Sequence, residues 1–182
     1  MRRSSGLIRR VWLAVSAIST GFGVWATHFI AMLAFNPGVP TAYNIALTGL
    51  SLVAAILLTG AGLAVAVASI AGAGAWLGGA MAGGGIAAMH YTGMAAFEIP
   101  RGDRLGSNLV AASIALGALI GAAALPIGLR EDNVKWKILG ALLLTAAICS
   151  HHFTAMGAAK IILDPAMNSP ERRYRRVCSR LR

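Results

Sequence analysis

Between Val11 and Phe97 the chain carries no Asp, Glu, Lys or Arg, a run of 87 residues (positions 11 to 97). A water-soluble fold has to present charge on its surface, and no fold of that size leaves so long a segment without any. A bilayer core makes the opposite demand, about 20 apolar residues per crossing helix. The uncharged run alone has room for three crossings. Over the whole chain, 57% of residues are hydrophobic and only 12% charged, about half the charged share of a soluble domain.

Turn signals divide the chain into five expected spans. Span 1 covers about Val11 to Phe35 and ends at the uncharged turn Asn36-Pro37-Gly38-Val39-Pro40. Span 2 covers Tyr43 to Ser69 and span 3 Ala75 to Phe97. One helix across both would be ~80 Å long at ~1.5 Å per residue, so the chain must turn, and Gly72 and Gly74 mark the place. Glu98 to Arg104 is a polar loop. Span 4 runs from Asn108 to Leu129, with Pro126 near its end. After a second polar loop, Arg130 to Lys137, span 5 runs from Ile138 to Ile162. The expected fold class is all-α, a polytopic transmembrane bundle over residues 11–163, with a basic cytoplasmic segment at 1–10 and a basic, disordered tail at 164–182. The first apolar run continues to Phe35, longer than the ~7–15 residues of a cleavable signal peptide, and reads as a retained helix.

The net charge of +10 does not point to nucleic acid. Four of the basic residues lie in the first ten positions and six in the last twelve, the flanking placement that sets membrane orientation. With the amino terminus inside, the inner segments hold Arg2, Arg3, Arg9, Arg10, Arg130, Lys135 and Lys137, against Arg101, Arg104 and Lys160 outside. That count places the amino terminus in the cytoplasm. Five spans would put the basic tail outside, so either the orientation is reversed or the sequence lacks a further span that would return the tail to the cytoplasm; the second is the expectation. Polybasic ends also suit anionic lipid headgroups. Trp12, Trp76 and Trp136 begin spans 1, 3 and 5, as an interfacial belt does, whereas Trp25 is internal. Cys149 lies in a span and Cys178 in the tail, a spacing with no disulfide framework in it.

A repeat organises the spans. Residues 21–35 (GFGVWATHFIAMLAF), 83–97 (GGGIAAMHYTGMAAF) and 145–159 (TAAICSHHFTAMGAA) stand in register. His28, His90 and His152 recur at an interval of 62, each followed by an aromatic residue (Phe29, Tyr91, Phe153) and, four residues on, by Met32, Met94 or Met156. Sixty-two residues hold two spans and two connections, so spans 1, 3 and 5 run in one direction and all three histidines lie at one depth, near the outer face. The i, i+4 spacing puts each His and Met on one helical stripe. Imidazole accepts copper, zinc or iron, and a thioether favours Cu(I), so three such stripes can surround a metal with a mixed nitrogen and sulfur shell. Met89 and His151, directly before His90 and His152, point about 100° away and are expected on a different face or at a second site. Cys149, one turn before His152, can add a thiolate, or pack as a small buried residue.

Other readings of the repeat are structural hydrogen bonding by the histidines and haem ligation through His pairs or His/Met. The methionines can be packing residues. Ionisable groups at depth are costly and face the bundle interior, which weighs toward a site. The glycines around the motifs (Gly21, Gly23, Gly83, Gly84, Gly85, Gly93) favour close helix contact. No carboxylate pair, phosphate loop or nucleophile-base set is present in the spans, so no enzyme activity is expected of them.

At these residues the sequence resembles the MHYT domain family, whose namesake tetrapeptide stands verbatim as Met89-His90-Tyr91-Thr92. ATHFIAMLAF and SHHFTAMGAA are similar to its weaker repeats, with Thr27 and His151 in place of the Met that precedes His in the family pattern. The resemblance covers residues 9–165. It implies a bacterial integral-membrane sensor module, in the inner membrane, coupled to cytoplasmic domains that make or degrade cyclic diguanylate. It also implies a copper site at His28, Met32, Met89, His90, Met94, His152 and Met156, through which a gas such as O2, CO or NO is sensed. The alternative from another class is a membrane metal transporter or metal-loading protein, which would need polar groups at several depths rather than at one. A third is a structural subunit that binds no metal.

Overall fold

The computed structural model describes residues 6–35, 41–68, 72–98 and 103–161. The expected turn at 36–40 and the basic tail at 164–182 lie outside the described residues. Among the described residues five long helices follow one another: α1 (Gly6–Ala34), α2 (Ile45–Ala68), α3 (Ala73–Ala96), α4 (Ser107–Gly128) and α5 (Val134–Ala158). The described residues also hold four short strands, in the connections and after α5: β1 (Ala42–Tyr43), β2 (Phe97–Glu98), β3 (Asp103–Leu105) and β4 (Ala159–Ile161). Helices α1, α2, α4 and α5 are long and apolar enough to cross a membrane. Helix α3 is as long as α2, at 24 residues, and carries no charge, but its glycines lower its hydropathy. It is the central helix, packed between α2 and α4 and meeting α1 and α5 as well.

The expected spans and the observed helices agree to within a few residues, and the differences have local causes. Helix α1 begins at Gly6, so Arg9 and Arg10 belong to its first turns rather than to a segment before it. Helix α5 begins four residues before the expected Ile138 because Asn133 caps it: its side-chain oxygen accepts from the Lys135 amide at 3.0 Å. Asn44 does the same for α2, accepting from the Leu47 amide at 3.1 Å. Both are residues whose side chains satisfy the free amides of a first helical turn. Of the two glycines expected at the joint between the second and third spans, Gly72 stands in the turn before α3 and Gly74 lies inside the helix, while residues 69–71 lie outside the described residues. Pro126 sits in the last turn of α4.

The 62-residue repeat is a repeat of contacts. The Asn44 amide donates to the Ala96 carbonyl at 2.8 Å, and 62 residues on the Gly106 amide donates to Ala158 at 3.0 Å. Strand β1 pairs antiparallel with β2 (Tyr43↔Phe97), and β3 with β4 (Leu105↔Ala159), again offset by 62 at both members. These bonds tie the start of α2 to the end of α3 and the start of α4 to the end of α5, so each pair is antiparallel. Gly21 lies against the backbone of Ile56, and its counterpart Gly83 against Ala118 and the Gly117 carbonyl. Small residues at these crossings let the backbones approach, which is how helices associate in lipid, where apolar burial supplies no net drive.

Ser51 and Ser113 are a further matched pair, both fully buried. Each hydroxyl donates to the carbonyl three residues earlier, Thr48 at 2.7 Å and Val110 at 2.8 Å. Each also receives a bond from the preceding odd-numbered helix. Trp25 Nε1 donates to Ser51 Oγ at 3.2 Å. Because the Ser113 hydrogen is already used, the 2.6 Å contact with Tyr91 is donated by the phenol. The internal Trp25 is thus a fastener between α1 and α2. Trp12 and Trp76, by contrast, are more than half exposed at their helix starts.

Candidate metal centre

His28, His90 and His152 each stand six residues before the last residue of their helices (Ala34, Ala96 and Ala158), so the three rings share one depth. Helix packing brings them together in the interior, exposed by only 2%, 1% and 8%. Their nitrogens face one another. His28 Nδ1 lies 3.1 Å from His90 Nδ1 and 3.3 Å from His152 Nδ1, and one ligand atom from each ring falls within 4.8 Å of the other two.

Hydrogen bonding alone does not explain this convergence. An imidazole Nδ1 has either one hydrogen or one lone pair, so His28 Nδ1 cannot pair properly with two other Nδ1 atoms at once. A cation among three lone pairs satisfies all three. Around a metal with nitrogen ligands at about 2.0–2.1 Å, neighbouring corners of a tetrahedron are about 3.3–3.4 Å apart, close to the two observed separations. Two of the three separations thus match a tetrahedral metal, and the third lies within the 4.8 Å span of the cluster. Outward, His28 Nε2 and His90 Nε2 are buried without a hydrogen-bond partner, so among the described residues no acceptor tunes these two rings from behind. His28 Nε2 instead abuts Gly93, where a Cβ would come within 2.6 Å of it. The motif glycine of α3 is the seat of the histidine from α1.

A cavity of about 80 Å³ adjoins the three rings. Met89, His151 and Cys149 line it too. The expectation that Met89 and His151 serve another face is therefore corrected. Helices α3 and α5 each turn a broad side inward, and residues 100° apart flank one centre. His151 is fully buried, with Nδ1 2.8 Å from the Ser113 carbonyl and its ring edge-on to His90 at 5.0 Å. Met32, Met94 and Met156 do not line the cavity. They share the histidine stripes, but four residues are about 6 Å along a helix, which carries them one turn past the rings. Met32 and Met94 are buried there and Met156 half-buried. The nearest donor set is thus richer in imidazole than the sequence pattern predicts.

Aromatic rings extend from the site toward the helix ends: Phe29 contacts His28 at 4.9 Å and Tyr43 at 5.6 Å, and Tyr43 contacts Phe97 at 5.4 Å. Tyr43 lies outside the spans, and burial pushes its phenol above the ordinary value. The aromatic residues after the three histidines part company here. Phe29 packs on Tyr43 and Tyr91 bonds Ser113 of α4, whereas Phe153 is 69% exposed. Phe153 and the exposed Thr27 both line the cavity, which therefore reaches the bundle surface between α5 and α1. Replacing Tyr91 by Phe removes the bond to Ser113 and is expected to destabilise the fold by about 1 kcal/mol, read as a lower thermal midpoint. The metal content should not change.

Comparison with known proteins agrees with this architecture. The MHYT family model, described as a bacterial signalling protein N-terminal repeat, matches residues 21–79 and 83–141, two copies offset by the same 62 residues. The third copy lies beyond the matched residues, yet the structure joins its His152 to the other two histidines. An uncharacterized signaling protein of Caulobacter vibrioides is 38% identical over 175 residues, covering 94% of this chain and 21% of the relative. The cyclic di-GMP phosphodiesterase NbdA of Pseudomonas aeruginosa is 39% identical over 164 residues, 86% of this chain and 21% of its own. The bifunctional diguanylate cyclase/cyclic di-GMP phosphodiesterase MucR of the same organism is 37% identical over 158 residues, 84% of this chain and 23% of its own. The chain thus spans about a fifth of the length of these relatives. No solved structure matches it. With the repeat, the apolar helices and these relatives in agreement, the chain belongs to the MHYT family of bacterial signalling proteins and forms a multi-pass membrane domain of it.

Proposed function

We propose that the chain is a metal-dependent sensor of a small ligand, in which His28, His90 and His152 hold a copper ion near the outer face of the bacterial inner membrane. The observation that carries this reading is the convergence of three buried Nδ1 atoms that cannot all be paired by hydrogen bonds. Three imidazoles leave a coordination position open, as catalytic and ligand-binding metal sites do. Met89 and Cys149 stand by as softer donors on the cavity wall, and Met32, Met94 and Met156 back the rings from one turn away. The cavity admits a ligand of the size of O2, CO or NO. Its mouth between α1 and α5 faces lipid, which suits molecules that partition into hydrocarbon. The balance of basic residues supports an amino terminus in the cytoplasm. Ligand binding would shift the packing of α1 and α5 against α3. The recipient would be an output domain or partner that turns over cyclic diguanylate, the activity named for two relatives. A transporter is disfavoured because the four histidines of the chain gather at one depth.

The test is a fusion of the chain to a cyclic di-GMP phosphodiesterase domain in cells grown with and without added copper. Under either O2 or CO, cyclic di-GMP is expected to change with copper in the parent and to stay flat in His28→Ala. A copper response that survives in His28→Ala contradicts the assignment. Copper flux into vesicles would instead favour transport.

A further inference from the structure

His151 is the one histidine outside the converging three. Its Nδ1 lies 2.8 Å from the Ser113 carbonyl oxygen. A carbonyl only accepts, so Nδ1 carries the hydrogen, and in a ring with a single proton Nε2 is a bare lone pair. That lone pair is fully buried and, among the described residues, has no partner. The ring lines the same cavity as the three-histidine centre and stands at right angles to His90, 5.0 Å away. Its nitrogens are not part of the cluster that lies within 4.8 Å, so it is not a fourth ligand in this arrangement. It is in ring contact with His90 on the wall of the cavity that adjoins the centre. The cavity of about 80 Å³ exceeds the roughly 30 Å³ share of one water molecule. Its mouth, flanked by Thr27 and Phe153, opens between two helices that cross the membrane, a route that charged species are denied.

We propose that His151 selects the ligand: its bare Nε2 accepts a hydrogen bond from a neutral small molecule that brings its own polar hydrogen, of the class of ammonia, hydrogen sulfide or water, bound at the open position beside His28, His90 and His152. The inference rests on the metal-sensor reading and departs from it in ligand class, since O2, CO and NO bring no polar hydrogen. A hydrogen-bearing ligand satisfies an acceptor that is otherwise stranded, and a buried acceptor left unpaired is costly. Carbon monoxide offers it nothing.

The experiment compares ammonia and carbon monoxide on the Cu(I)-loaded protein in nanodiscs, for the parent, His151→Leu and His151→Gln. Copper content should be unchanged in both variants. Ammonia affinity should fall about tenfold in His151→Leu and carbon monoxide affinity stay within about twofold. Gln, which can donate to Ser113 and still present an oxygen, should recover part of the ammonia binding. Equal effects on both ligands, or none, overturn the proposal while leaving the metal centre standing. Absence of copper from the parent overturns both. A readout that needs neither metal nor variant is the ¹⁵N spectrum of the metal-free parent. His151 should show a protonated Nδ1 and a lone-pair Nε2, and the opposite tautomer also overturns the proposal.

Discussion

Gly83→Ala is expected to unseat α3 from α4 and to lower the stability of the bundle by about 3 kcal/mol, the upper part of the range for overpacking. The Cβ would stand 2.3 Å from the Gly117 carbonyl oxygen and 2.8 Å from the Ala118 Cα. Both are backbone atoms of a neighbouring helix, so no side-chain rotation relieves the clash and the helices must separate. That contact is the repeat of Gly21 on Ile56, and Gly21→Ala should behave alike. The control is one residue away. Gly84 faces outward with nothing within 4 Å of an added Cβ. Gly84→Ala should be neutral or stabilising by up to about 1 kcal/mol, because alanine is the better helix former. Thermal midpoints of the two variants in detergent check the pair. Equal midpoints would mean that the glycines are not the contact surface.

The second large effect is on the site and should leave the fold alone. In Gly93→Ala the new methyl meets the Nε2 edge of the His28 ring at 2.6 Å. Here the obstructed atoms are the far end of a side chain, which can swing away. The helices therefore stay packed while His28 Nδ1 is pulled from the centre. Disturbing the support of a metal ligand costs about 10–100-fold in affinity, and a loss in that range is expected in a copper competition titration, with a thermal midpoint near the parent's. Unchanged affinity would show that His28 does not need its seat.

Much of the fold was legible because lipid imposes strong rules. An 87-residue run without charge (11 to 97), turn residues and a 62-residue period were enough for five helices in their approximate places. The period also placed His28, His90 and His152 at one depth, and the structure puts each six residues from its helix end. What escaped has physical reasons. Strands β1 to β4 are two or three residues long, too short for periodicity to register. The role of Trp25 depends on Ser51, 26 residues away, although the repeat offered a hint, since Ser51 and Ser113 share its spacing. On a single helix His151 points away from His152, but α5 packs on α4 and also meets α3, so both of its sides are engaged. The His-Met spacing suggests a single ligand shell, but the rise of the helix separates ring from thioether by a full turn. A same-face pattern fixes azimuth and says nothing of depth.

The most direct test is the copper content of the detergent-purified protein, expressed with copper supplied, beside the triple variant His28→Ala, His90→Ala, His152→Ala. About one copper per chain in the parent and almost none in a variant that still unfolds cooperatively is the predicted result. No metal in either protein would contradict the account and leave the converging histidines as a packing feature of the repeat.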